Sequence, residues 1–340
     1  MARTINYREA ISEALLQEMR RDERVVVMGE DNAGGAGAPG ADDAWGGVMG
    51  VTKGLFDQFP GRVLDTPITE SAFVGAAIGA ATRGLRPVAE LMFIDFLGVC
   101  FDQIYNQAAK FRYMFGGKAV TPVTIRTMYG AGLRAAAQHS QALYSIFTHI
   151  PGLKVAVPSS PYDAKGLMTA AIRDDDPVIF CEHKAMYEVS GEVPEDSYAL
   201  PFGEANVVRE GEDVTVVAIG RMVQVAEQAA DQLAGDGISC DVLDPRTISP
   251  LDTDTILESV ESTGRLVVVD EATPRCSVAA DISATVAKEA FGALRAPIEM
   301  VTAPHTPVPF SDALEDLYVP DAQRVANAVK TTASYEGSRA

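Results

Sequence analysis

Between residues 65 and 81 the chain reads Asp65-Thr-Pro-Ile68-Thr-Glu70-Ser71, then Ala72-Phe-Val-Gly75-Ala-Ala-Ile-Gly79-Ala-Ala. Pro67 stops a preceding strand, and Thr69 suits a helix N-cap. Glu70 then falls in the first helical turn, where a carboxylate complements the helix dipole. That structural role is what the residues alone favour. The chemical alternative is proton transfer, which needs a carboxylate held in a dry, shaped site. His139, in Arg134-Ala-Ala-Ala-Gln-His139-Ser140, carries an imidazole able to exchange a proton near neutrality. A lone histidine is more often structural, so this spacing leaves both roles open. The run Asp174-Asp175-Asp176 follows a helical stretch and by itself reads as a solvated acidic turn.

Two glycine motifs resemble phosphate cradles without being so. Residues Ala33 to Gly47 are rich in Gly, Ala and Asp, but contain no GxxxxGK[ST] and do not open an amphipathic helix. They predict a surface or interface loop anchored by the single tryptophan, Trp45. Gly235-Asp236-Gly237 lacks the downstream Asn-Asn of a magnesium-diphosphate site, and Asp-Gly is ordinary turn chemistry. The chain therefore has no diphosphate-anchoring motif of its own.

The elements that must position these residues alternate. Tyr7, Ala10, Ile11, Ala14, Leu15 and Met19 share one helical face. Strands are predicted at 25–28, 62–64, 87–92, 123–125, 153–157 and 178–180, with helices at 71–82, 101–113 and 163–173 between several of them. This pattern predicts an α/β domain around a mostly parallel sheet over residues 1–185. Residues 186–204 are polar and turn-rich and read as a linker. Alternation resumes over 205–335 as a second, smaller α/β domain, and the small residues at 72, 75, 76, 79 and 80 permit close helix approach.

Several motifs occur in one order: Asp65-Thr-Pro-Ile-Thr-Glu70, Gly84-Leu-Arg-Pro87, Ala136-Ala-Gln-His139-Ser140, Pro151-Gly-Leu-Lys-Val155, Ala171-Ile-Arg-Asp174-Asp-Asp-Pro177 and Asp244-Pro-Arg-Thr-Ile-Ser-Pro250. Together the set resembles the beta subunits of thiamine-diphosphate-dependent 2-oxo-acid and acetoin dehydrogenases, a transketolase-like family. The resemblance implies a pyrimidine-binding thiamine-diphosphate domain followed by a transketolase C-terminal-like domain. It also implies an α2β2 heterotetramer in which the alpha subunit holds Mg2+ and the diphosphate, with two beta chains in contact. Glu70 would hydrogen-bond a pyrimidine ring nitrogen and favour the imino tautomer that takes the thiazolium proton. Phe96 would stack on the pyrimidine, Ile68 would be a neighbouring apolar contact, and His139 would handle protons as the acyl group passes to lipoamide. Val123, Ala171, Asp174 and Asp176 match positions that hold a structural monovalent cation, K+, largely through backbone carbonyls.

Residues 34–54 and 90–110 look like the acetoin branch of that family, which implies cleavage of acetoin to acetaldehyde with the acetyl group passed to lipoamide. The alternatives are a pyruvate or branched-chain 2-oxo-acid enzyme, or a non-catalytic scaffold that docks an acyltransferase core. The net charge of −19 excludes a nucleic-acid partner. It suits either solubility or the small basic subunit-binding domain by which, in the family, a lipoyl-bearing acyltransferase core grips the beta subunit. No apolar run reaches the ~20 residues of a membrane helix. The polar start and four scattered cysteines predict a cytoplasmic protein without disulfides.

Overall fold

The computed structural model describes residues 2–33 and 46–336. Most of the glycine-rich loop, including Trp45, lies outside them. The chain forms two compact units, one of residues 1–129 and 146–202 and the other of residues 130–145 and 203–340.

In the first unit, strand β1 (Ala2–Asn6) leads directly into a helix, Tyr7–Arg21. Asn6 and Glu9 start that helix with reciprocal side-chain-to-backbone bonds, a capping box. Tyr7, Ala10, Ile11, Ala14, Leu15 and Met19 are all buried, as the 3.6-residue period predicts. They join the core with Ala164, Leu167 and Met168 of the helix Pro161–Arg173. Glu18, also buried, is neutralised by Arg173 at 2.6 Å.

The main sheet of this unit is parallel: β2 (Val25–Gly29), β3 (Val63–Asp65), β4 (Arg86–Phe93), β5 (Thr124–Tyr129), β6 (Lys154–Ala156) and β7 (Val178–His183). Their spatial order is β6-β7-β5-β4-β2-β3. Strands β5 and β7 are buried along their whole length, as a sheet covered on both faces requires. The stretch read as a linker does more than connect. Its strand β8 (Ser190–Pro194) pairs antiparallel with β1, and residues through 202 stay with the first unit.

Residues 101–113 do not form one helix. A helix Leu97–Asp102 passes into a π-helical turn, Gln103–Ala108, and a short helix, Phe111–Met114, follows.

In the second unit, β9 (Asn206–Arg209), β10 (Val214–Ala218), β11 (Cys240–Asp244), the short β12 (Thr247–Ser249), β13 (Leu266–Asp270) and β14 (Glu299–Thr302) follow in sequence. One sheet has the order β14-β13-β10-β11-β9, parallel except for β9. Helices Met222–Ala234 and Ala322–Ala333 pack against it. Asp236 lies in a turn, paired at the surface with Lys330 at 2.7 Å, and Gly237 has φ +78°, as a left-handed turn position needs.

Candidate active site

Parallel sheets place ligands beyond the carboxyl ends of their strands. In the first unit those ends bring acidic side chains together. Glu30 follows β2 directly, and Gly29 is in register with both Asp65 of β3 and Glu90 of β4. Thr66 N bonds Gly29 O at 3.0 Å, which seats the Asp65–Glu70 turn beside β2.

Glu70 is the first residue of the helix Glu70–Thr82 and is only 7% exposed. Thr69 makes no side-chain capping bond; its hydroxyl donates instead to Pro67 O at 3.2 Å. Among the described residues the Glu70 carboxylate has neither a hydrogen-bond nor an ion-pair partner. Its electrostatic neighbours include Glu30, whose carboxyl is pushed above the ordinary range by burial first and then by Glu70, Asp31 and Glu90. Burial and the Glu70 charge also raise the Cys100 thiol to about 12, so this cysteine stays a neutral core group.

A buried carboxylate without a donor is costly. A heteroaromatic ring nitrogen offering a proton to Glu70 would satisfy it, and the site fits a pyrimidine in that respect. The apolar residues fit as well. Ile68 is 78% exposed directly before Glu70, an unusual position for isoleucine unless something covers it. Phe96 ends a 3-10 turn after β4 and sits edge-on to Phe93, with centroids 5.5 Å apart. That turn runs into the Leu97–Ala108 stretch, which packs on the Glu70–Thr82 helix, and Gln103 lies over Gly75. Glu70 and Phe96 are thus carried by neighbouring elements of one unit. The outer face of the helix, Ala72, Ala76 and Gly79, is exposed, and a Cβ at Gly79 would meet open space.

A buried network of charged side chains joins β4, β5 and β7, and sequence reasoning did not find it. Glu90 and Arg126 are direct partners in the β4–β5 register. Arg126 donates to Glu90 Oε2 at 2.7 Å and forks onto Glu182, to which the Tyr187 hydroxyl also donates at 2.7 Å. Burial raises the Glu90 carboxyl, against the lowering effect of Arg126. The Asn32 amide, oriented to donate to Glu90 Oε2 at 3.1 Å and accept from Gly29 N at 2.9 Å, closes the network. The available signal was the charge of Arg126 inside an apolar strand.

The histidines and the acidic turn are carried by other elements. His139 is half-buried and belongs to the 130–145 segment of the second unit. His183 is fully buried in the first unit, its Nδ1 accepting from Ala185 N at 3.2 Å and its ring edge-on to Tyr129, a structural role.

Val123, Ala171, Asp174 and Asp176 are tied by backbone bonds: Val178 N to Val123 O at 3.0 Å, and Asp174 N to Ala171 O at 3.3 Å. Lys154 pairs with Asp174 at 2.6 Å, Arg112 with Asp176, and Arg86 donates to Asp174 O at 2.9 Å. The carboxylates are therefore already matched by fixed cations. No group of three or more His, Cys, Asp or Glu side chains arranged for a metal occurs among the described residues.

The chain matches the transketolase pyrimidine-binding domain over residues 3–189 and the transketolase C-terminal domain over residues 203–325. It belongs to the transketolase-like family of acetoin and 2-oxo-acid dehydrogenase beta subunits. It is 67% identical over 332 residues to the acetoin:2,6-dichlorophenolindophenol oxidoreductase subunit beta of Cupriavidus necator, spanning 98% of both chains. The Bacillus subtilis protein of the same name is 59% identical, with 96% of each chain covered. A pyruvate dehydrogenase E1 component subunit beta from Rickettsia felis is 48% identical over 97% of this chain and 99% of its own. Among solved structures, a split gene transketolase described as an inactive beta4 tetramer superposes with a TM-score of 0.78 at 25% identity, covering 97% of this chain and 98% of the other.

Proposed function

We propose that the chain is the beta subunit of the thiamine-diphosphate-dependent component of an acetoin dehydrogenase complex. In this reading, with an alpha subunit, it cleaves acetoin to acetaldehyde and passes the acetyl group to lipoamide. The observation that carries this is the near-full-length identity to two acetoin oxidoreductase beta subunits, combined with a buried Glu70 that has no partner among the described residues, beside exposed Ile68.

Thiamine diphosphate, when bound, supplies a nucleophilic thiazolium carbon that adds to the substrate carbonyl. Glu70 holds a proton at a pyrimidine ring nitrogen, with Glu30 as its acidic neighbour. Ile68 and Phe96 exclude water from the ring. His139 accepts or returns a proton as the acetyl group leaves for the lipoyl thiol. The chain has no diphosphate motif, so the Mg2+ and diphosphate belong to the alpha subunit. The assembly would be an α2β2 heterotetramer docked to a lipoyl-bearing acyltransferase core through that core's basic subunit-binding domain. Carbonyl oxygens of Val123 and Ala171, with Asp174 and Asp176, would hold a K+ ion. No helix among the described residues is long and apolar enough to cross a membrane, and we place the complex in the cytoplasm.

The lower identity to the Rickettsia felis subunit supports a second reading, oxidative decarboxylation of pyruvate. Purified alpha and beta subunits with a dye acceptor separate the two. Reduction of the dye with acetoin and not with pyruvate is expected. Turnover of pyruvate alone would replace the proposal by the second reading.

A further inference from the structure

The segment 130–145, which carries His139, is held in the second unit by buried carboxylates. At its start, Ala131 N donates to Glu271 Oε1 at 2.6 Å and Gly132 N to Glu315 Oε1 at 2.5 Å. At its end, the buried Tyr144 hydroxyl donates to Asp270. In its middle, Arg134 spreads over three acidic residues of one helix, Asp312–Tyr318: Asp312 at 3.3 Å, Glu315 Oε2 at 3.2 Å and Asp316 at 2.5 Å. Glu315 is 0% exposed, and both its oxygens face this segment.

The backbone explains why such anchoring is needed. Arg134 and Ala136 have φ +56° and +61°, a left-handed conformation that strains a residue with a Cβ. Strained residues persist only where the surroundings over-determine them. The bonds that Gly132 N and Arg134 make to the buried Glu315 carboxylate oppose that strain. The same elements line a recess of about 400 Å³. Ala137, Gln141 and Leu143 form one wall, and His305, Pro307 and Tyr318 form the other. Tyr318 lies one turn beyond Glu315, so the clamping helix and the His139 segment border one recess.

We infer that Arg134 and Glu315 are positioning residues that fix the 130–145 segment in the conformation presenting His139 to the acyl acceptor. This rests on the reading of His139 as the proton-handling group of acyl transfer. Misplacing such a group by about 1 Å costs on the order of a hundred-fold.

The test uses the enzyme assembled with its alpha subunit and compares acetoin-dependent turnover with a lipoamide acceptor and with the dye. Arg134→Gly, which relieves the backbone strain but removes the anchor, and Glu315→Gln, which keeps the shape but removes the charge, should each lower the lipoamide-to-dye ratio about ten-fold or more. His139→Ala should lower it at least as far, and the Arg134→Gly/His139→Ala double variant no further than His139→Ala alone. A general structural role would instead lower both turnovers together and leave the ratio at its parent value. A ratio lowered by His139→Ala but unmoved by Arg134→Gly and Glu315→Gln overturns the clamp and leaves the role of His139 standing. Effects that multiply in the double variant overturn the positioning role. A ratio that His139→Ala leaves unchanged removes the role of His139, and the clamp's role toward it falls too.

Discussion

Arg126 grips Glu182 at two points, Nε to Oε1 at 2.7 Å and Nη2 to Oε2 at 2.8 Å, with its remaining Nη1 on Glu90 Oε2 at 2.7 Å. One guanidinium on β5 thus serves two buried carboxylates on the two parallel strands that flank it. The planar fork of arginine matches this geometry, and the single ammonium of lysine does not. Because Glu90 stands in register with Gly29, the grip also fixes the floor beneath Glu30 and the Glu70 turn.

Replacing Arg126 by Met should destabilise the chain by about 3–5 kcal/mol, because it leaves two carboxylates buried without their cation. Arg126→Lys should recover only part of that loss. Thermal melting of the purified chain measures both. A midpoint for Arg126→Met within about 2 °C of the parent would show that the network contributes little.

This network also shows where the sequence stopped being legible. The strand Val123-Thr-Ile125 reads as ending before Arg126, an isolated charge in an apolar run. The structure carries it on to Tyr129, since Glu90 and Glu182, 36 and 56 residues away in the chain, neutralise that charge. The strand 178–180 extends through Glu182 to His183 for the same reason. Such pairings depend on register between distant strands, which local periodicity does not encode. By contrast, the buried face of the helix Tyr7–Arg21 was readable residue by residue, because its signal lies within one element. Glu70 was readable as a first-turn carboxylate, but its lack of a partner depends on what packs around it. The break at 103–108 was invisible because a π turn is set by an i→i+5 backbone bond and carries no residue-type signal of its own.

Gly47 touches the same network from another side. Its φ is +74°, and an added Cβ would lie 2.8 Å from Glu90 Oε1 and 3.2 Å from the Asn32 side-chain amide. Gly47→Ala therefore combines a left-handed backbone penalty of about 1–2 kcal/mol with displacement of Glu90. The variant should melt lower than the parent. A variant with Ala at residue 54, where φ is +81° but a Cβ meets nothing, bears the backbone penalty alone and should melt between the two. Equal melting of the two variants would exclude the contact with Glu90.

The raised Glu30 carboxyl has a definite sign. Below the ordinary glutamate value of about 4.3 it is protonated in the folded and unfolded chain alike. As pH rises, the unfolded chain ionises first, so the stability Glu30 contributes at acid pH is lost as pH passes through its raised folded value. Burial and the charges of Glu70, Asp31 and Glu90 set that direction. Glu30→Gln should melt above the parent at pH 7, and this advantage should shrink as pH falls toward about 4.5. A gap that stays constant across that range would contradict the assignment.

The proposed K+ position makes a separate claim. Lys154, Arg86 and Arg112 already satisfy the acidic turn, so a further cation must be held by oxygen dipoles rather than by uncompensated charge. Binding to the folded chain alone raises stability by RT ln(1 + [ion]/Kd). Melting in potassium chloride should exceed melting in tetramethylammonium chloride at equal ionic strength, and Asp174→Ala should reduce the difference. Identical melting in the two salts would remove the ion from this turn.

Glu70→Gln separates catalysis from scaffolding. The substitution keeps the volume of the side chain and removes a charge that has no partner among the described residues and stands beside Glu30. Folding should therefore be unharmed, and the melting midpoint should equal or exceed that of the parent. Acetoin-dependent dye reduction by the assembled enzyme should nevertheless fall about 10²–10⁴-fold, the usual worth of a positioned proton-transfer group. The two readouts move in opposite directions only if the carboxylate is kept for chemistry at a cost to the fold. Full activity in Glu70→Gln would instead mark the chain as a docking scaffold, with turnover carried by other residues.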